Sequence, residues 1–217
     1  MYIEFIGTPG AGKTTIVEKT REILEKEGIY CVTRANFFDP KRKRMSKLLW
    51  SFLHLPRLDF QALKLFLLLS RYRKSRFEKT ITKIHEYQKL QYQLLNHKDK
   101  RVILWDGGLI QQFSGLIQEG LIDKESMIDF IEKRLPRKTL LVSIDTPVLE
   151  AERRMSEREP NTVLGDKKKE LMEIQNTQKS VMYELSARGM PLVVLDGMKS
   201  VEDNALILHQ IVKEKMS

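Results

Sequence analysis

Near its amino terminus the chain reads Gly7-Thr8-Pro9-Gly10-Ala11-Gly12-Lys13-Thr14, which meets G-x-x-x-x-G-K-[ST] at every specified position. The glycines allow successive backbone N–H groups to curl into a concave nest, and a following helix adds the positive end of its dipole. Such a nest suits a di- or triphosphate. Lys13 would reach the terminal phosphates, and the Thr14 hydroxyl would ligate Mg²⁺. The candidate nucleotide-binding residues are therefore Gly7, Pro9, Gly10, Ala11, Gly12, Lys13, Thr14 and Thr15. The alternative is an ordinary glycine-rich turn, which the apolar run before the loop and the amphipathic segment after it disfavour.

A second chemical group stands at Asp106, the end of the apolar run Arg101–Trp105 and the start of Asp106-Gly107-Gly108. A carboxylate at the C-terminal end of a strand beside the phosphate loop can hold Mg²⁺ directly or through water. A plain turn or helix-cap aspartate is the alternative. Arg154 and Arg158, four residues apart, would project from one face of a helix, as two guanidiniums closing over a nucleotide must. The competing reading pairs them with Glu150, Glu152 and Glu157 on a solvated surface.

The elements that must position these groups follow from the apolar spacing. Tyr2–Ile6 is a short β-favouring run, and Ile16, Ile23 and Leu24 mark one face of a helix over about 14–27, capped near Gly28. Tyr30–Ala35 predicts a second strand, so strand, loop, helix and strand make a βαβ unit and imply a parallel sheet covered by helices. Leu140–Asp145 and Leu192–Asp196 predict two further strands ending on aspartate. Thr146 with Pro147 reads as cap and first residue of the next helix, and Ser200-x-x-Asp203 as a capping box. The predicted fold class is α/β: a three-layer sandwich with a five-stranded parallel sheet and a helical insertion after the second strand.

That insertion, residues 37–100, carries sixteen Lys or Arg against five Asp or Glu and accounts for the whole net charge of +9. Helical spacing runs through Met45, Leu48, Leu49, Phe52 and Leu53, then Leu63, Phe66 and Leu67 after a capping Asp59, then Phe77, Ile81, Ile84 and Leu95. Such a wall suits an anionic acceptor, with Arg71 and Arg73 as candidate contacts. Lys41–Arg44 with Trp50, Phe52 and Leu53 also admits a nucleic acid or a membrane surface as partner, although packing on the core accounts for the same apolar residues. The longest aliphatic or aromatic run, Leu65–Leu69, is far short of a bilayer span, no secretory leader is apparent, and the single cysteine, Cys31, cannot form an internal disulfide. A single domain over 1–217 in the cytoplasm is the expectation.

Over most of its length outside the insertion the chain resembles the nucleoside monophosphate kinases, thymidylate kinase most closely. The resemblance rests on the phosphate loop after the first strand, Arg101-Val102-Ile103-Leu104-Trp105-Asp106 as the third strand, Leu141-Val142-Ser143-Ile144-Asp145-Thr146-Pro147 as the fourth, and Glu152-Arg153-Arg154-Met155-Ser156-Glu157-Arg158 as the lid entry. It implies ATP and Mg²⁺ as cofactors, with Thr14 and Asp106 on the metal and Lys13, Asp106 and Arg158 in catalysis. It further implies a lid over 153–166 whose Arg154 stacks on adenine, with Arg153 as a neighbouring substitute on the acceptor. Gly197 and Met198 would lie in the loop that touches adenine. One departure stands out: where that family has Asp-Arg, this chain has Asp106-Gly107, so the arginine that would touch the acceptor phosphate is absent. The resulting expectation is transfer of the γ-phosphate of Mg-ATP to a small anionic acceptor, such as a nucleotide or phosphorylated metabolite, by a chain that admits a homodimer. A regulatory or nucleic-acid-associated ATPase is the alternative; no Asn-Lys-x-Asp segment for reading guanine is present.

Overall fold

The computed structural model describes residues 1–37, 60, 63–64, 67, 87–88, 90–91, 94, 101–118, 120–158 and 167–216. The chain divides into two compact units, Met1–Arg34 with Asp99–Ser217, and Ala35–Lys98. The first unit holds five strands, β1 (Tyr2–Ile6), β2 (Cys31–Thr33), β3 (Val102–Asp106), β4 (Thr139–Asp145) and β5 (Leu192–Asp196). They form one parallel sheet in the order β2-β3-β1-β4-β5. Every residue of β1 is buried, as expected for a central parallel strand covered on both faces. The three-layer α/β sandwich with five parallel strands is the fold the sequence predicts.

Among the described residues, α1 (Lys13–Lys26) is followed by six helices of four or more residues: α2 (Arg34–Phe37), α3 (Leu109–Gln118), α4 (Lys124–Glu132), α5 (Val148–Arg158), α6 (Lys167–Ala187) and α7 (Val201–Met216). One face of the sheet packs Ile3, Phe5, Leu104 and Val142 against Ile16, Val17 and Leu24 of α1 and Leu208 and Val212 of α7. α1 ends as its sequence predicts: Ile29 N–H donates to Leu24 O at 3.0 Å and Gly28 N–H to Glu25 O at 3.0 Å. At α7 the Ser200 hydroxyl accepts from Asp203 N–H at 3.0 Å and donates to the Asp203 carboxylate at 2.7 Å, so the predicted cap is present.

Two local expectations change. The second strand is Cys31–Thr33 rather than Tyr30–Ala35, because the chain enters helical geometry at Arg34 and Tyr30 is left 58% exposed outside the ladder. Thr146 is not the side-chain cap of α5. The helix begins one residue later, with Ala151 N–H donating to Pro147 O at 3.0 Å, and the Thr146 hydroxyl turns instead to Ala11 O at 3.3 Å. In the second unit, Phe60, Leu63, Lys64 and Leu67 are helical, as are Tyr87, Gln88, Leu90, Gln91 and Leu94. The helix predicted over Met45–Leu53, the residues Phe77, Ile81, Ile84 and Leu95, and both Arg71 and Arg73 lie outside the described residues. Among the described residues no helix is long and apolar enough to cross a membrane.

On the opposite sheet face one polar residue is fully buried in β1. Glu4 accepts from the Tyr2 hydroxyl at 2.9 Å and from Ile110 N–H at 2.8 Å, tying the strand to the first turn of α3. Burial pushes its carboxyl from the usual 4.5 up to about 7, against the opposing pull of the Ile110 bond. As pH rises, an unfolded chain therefore releases this proton before the folded one does. Stability falls between about pH 4.5 and 7 and is flat above, by up to about 3 kcal/mol. Glu4→Gln keeps the shape and the Ile110 bond but removes the titration. Thermal melting across pH 5 to 7 should show the wild-type midpoint dropping by about 5–10 °C relative to the variant; parallel pH profiles would contradict this.

Candidate functional site

The phosphate loop runs from the end of β1 into α1. Ala11 N–H donates to Thr8 O at 3.1 Å, and Gly10 and Gly12 adopt φ of 82° and 90°. Gly10 is demanded twice over, since a Cβ there would also lie 2.2 Å from Ala151 O of α5. Lys13 folds back over the loop and donates from Nζ to Gly7 O at 2.6 Å and Thr8 O at 2.8 Å. Burial lowers its ammonium from 10.5 to about 8; Asp106 pulls the other way, while the guanidiniums of Arg158 and Arg34 add to the depression. The Thr8 hydroxyl is buried without a partner inside the same loop. Pro9 is partly buried, and Thr14 and Thr15 are exposed at the first turn of α1.

Parallel pairing of β1 with β3 sets Phe5 opposite Asp106, so the carboxylate emerges beside the loop. The Thr14 hydroxyl donates to Asp106 Oδ2 at 2.7 Å across 92 residues of sequence. A hydroxyl and a carboxylate brought together at the mouth of a phosphate nest are hard oxygen donors suited to Mg²⁺, which keeps most of its waters and takes one or two protein oxygens. The loop likewise fits a nucleotide phosphate: it offers the start of α1, a folded-back ammonium and left-handed glycines whose N–H groups can line the nest.

On the β4–β5 flank, three segments are fastened together. Thr146, fully buried at the end of β4, bonds to Ala11 O of the loop, and Gln175 of α6 donates to Thr146 O at 3.2 Å. Gly197 sits directly over Thr146, where a Cβ would lie 1.8 Å from the hydroxyl. Arg154 donates to Gly197 O at 3.0 Å and to Glu150 Oε1 at 2.7 Å, which lays α5 along the Gly197–Met198 turn. Met198 is 57% exposed beside it. Arg153 faces away from this turn and bridges Glu150 and Glu157 on exposed helix surface. Arg158, at the last turn of α5, is near enough to Lys13 to affect its charge. The remainder of the predicted lid, 159–166, lies outside the described residues.

The structure thus brings together the loop, Asp106, Arg154, Gly197 and Arg158. Two groups on this rim carry other expectations in the sequence. Thr146 satisfies the rule for a helix cap, although its place at the end of a central strand beside the loop is a visible signal. Arg34 falls inside the strand predicted over Tyr30–Ala35, although a basic residue just past the carboxyl end of β2 falls on the same rim of the sheet.

No model of a protein family matches the chain, and no curated protein matches it in sequence. Several solved structures share its fold along nearly its whole length. A deoxyadenosine kinase from M. mycoides, with the products dCMP and a flexible dCDP bound, is 17% identical with a TM-score of 0.54, covering 99% of this chain and 100% of that one. Shikimate kinase from Acinetobacter baumannii, in complex with shikimate, is 18% identical with a TM-score of 0.53, covering 100% and 95%. The YorR protein from Bacillus subtilis, in complex with phosphorylated GDP, is 16% identical with a TM-score of 0.52, covering 98% and 96%. The likeness is one of fold, a three-layer α/β sandwich around a five-stranded parallel sheet.

Proposed function

We propose that this protein is a phosphotransferase that moves the γ-phosphate of Mg-ATP to a small anionic acceptor. The observation that carries the reading is the 2.7 Å bond between the Thr14 hydroxyl and the Asp106 carboxylate beside the folded-back Lys13 ammonium. A glycine-rich turn with a merely structural role gives no reason for those three groups to meet. When bound, Mg²⁺ supplies positive charge that screens the phosphate oxygens. Thr14 and Asp106 would hold it, Lys13 would follow the transferring phosphoryl group, and Arg158 would add charge at the same point. Arg154 and the Gly197–Met198 turn would take the adenine on the β4–β5 flank.

The thymidylate kinase-like order of strand ends supports a nucleotide acceptor. The Asp106-Gly107 departure and the differing ligands named in the three structures widen the class to phosphorylated or carboxylated metabolites. A screen of nucleosides, nucleotides and phosphosugars with γ-labelled ATP tests the proposal. Label should pass to one acceptor class, with slow release of phosphate when no acceptor is present. Strong ATP hydrolysis stimulated by nucleic acid and falling steeply with salt would overturn it in favour of a nucleic-acid-associated ATPase.

A further inference from the structure

The helix α3 begins without a cap of its own. Gly108 O accepts from Gln112 N–H at 3.0 Å, the first bond of the helix, so Gly108 is the cap residue and has no side chain to offer the free N–H groups of the first turn. Glu4 does that work from the central strand. Its carboxylate accepts from Ile110 N–H, the second helical residue, at 2.8 Å and from the Tyr2 hydroxyl at 2.9 Å, and the residue is fully buried. This accounts for the second glycine of the Asp106-Gly107-Gly108 turn. Gly107 has φ of 76°, in the region that favours glycine, whereas Gly108 has no positive φ. A Cβ at 108 would instead lie 2.3 Å from the Glu4 carboxyl carbon and 2.6 Å from both its oxygens. The carboxyl occupies the space that a side chain there would need.

Only Gly107 and Gly108 separate Asp106, the last residue of β3, from Leu109, the first of α3. Two glycines in succession give the backbone great freedom, so the direction of Asp106 depends on what holds the far side of the turn. β1 holds both sides. Its backbone sets Phe5 opposite Asp106, and the residue before it, Glu4, grips Ile110. We infer that Glu4 is a positioning residue for Asp106: by capping α3 from β1 it fixes the two-glycine turn and keeps the Asp106 carboxylate 2.7 Å from the Thr14 hydroxyl, where Mg²⁺ would be held. This role rests on the metal site proposed above. The effect passes through the turn, because Glu4 itself is sealed between β1 and α3.

The test is calorimetric titration of the full chain with AMPPNP, with Mg²⁺ present and chelated, read as the ratio of the two dissociation constants. In wild type Mg²⁺ should tighten binding by about tenfold or more. Glu4→Met removes the cap and should cut that ratio to about threefold or less, with Mg-free affinity within about twofold of wild type. Glu4→Gln retains an oxygen for Ile110 N–H and should restore the wild-type ratio. Glu4→Asp withdraws the carboxylate by a methylene; it should lower the ratio by a smaller step, and it carries the test if the methionine variant fails to fold. With Asp106→Asn already in place, Glu4→Met should change the ratio by less than about twofold, because the residue through which it acts is gone. A residue that only stabilises the fold would lower the melting midpoint and leave the ratio untouched. A wild-type ratio in folded Glu4→Met or Glu4→Asp, no recovery in Glu4→Gln, or an undiminished effect in the Asp106→Asn background would each overturn the assignment. Wild type that binds no AMPPNP, or binds it without any Mg²⁺ effect, would instead overturn the donor site, and this role for Glu4 with it.

Discussion

Lys13→Ala is expected to lower turnover by at least about a hundredfold while the protein remains folded. The lysine's two bonds run to loop carbonyls, Gly7 O and Thr8 O, and its ammonium is held at a cost that brings it down to about 8. Removing such a cation relieves burial rather than opening the core, so melting should change little. Under the proposed function, bound nucleotide phosphates would add negative charge beside the ammonium, so the loss should appear in binding and transfer. Were Lys13 only a strap closing the turn, the alanine variant would lose stability and keep its turnover per folded molecule. Steady-state kinetics with the acceptor found by screening, measured beside thermal melts, separates these outcomes.

Asp106→Asn is the second large effect. Asparagine is as good a turn residue as aspartate and can still accept from the Thr14 hydroxyl, so the turn at Gly107 should survive. What it lacks is the charge that would face Mg²⁺ under the proposed function. Turnover should fall by about a hundredfold or more, and the Mg²⁺ concentration needed for half-maximal rate should rise. Full activity at unchanged Mg²⁺ dependence would return Asp106 to a purely structural role in the turn.

The fold was legible where a rule acts locally. Buried parallel strands show as apolar runs, and each ends on a residue that the sheet then delivers to one rim, so the loop, Asp106 and the Gly197 turn could be placed from sequence. The short β2 was not legible in its bounds, because Tyr30 and Arg34–Ala35 continue an apolar and β-compatible pattern that only the tertiary turn into α2 interrupts. Thr146 shows why side-chain roles resist prediction. A threonine before proline satisfies the capping rule, yet its hydroxyl finds a better use across 135 residues at Ala11 O. Arg153 and Arg154 are neighbours with equal sequence credentials, and only helix rotation decides that Arg154 reaches Gly197 while Arg153 pairs with Glu150 and Glu157. Glu4 gave no signal that could be read as functional, since a lone acid in an apolar strand is intelligible only once Tyr2 and Ile110 close around it.

Calorimetric titration of the wild-type protein with AMPPNP, with and without Mg²⁺, tests the central claim most directly. One nucleotide should bind per chain with a Kd within the range of about 1 μM to 1 mM common for enzyme substrates, weakening by about tenfold or more when Mg²⁺ is chelated. Absence of binding, or binding indifferent to both Mg²⁺ and Lys13→Ala, would contradict it.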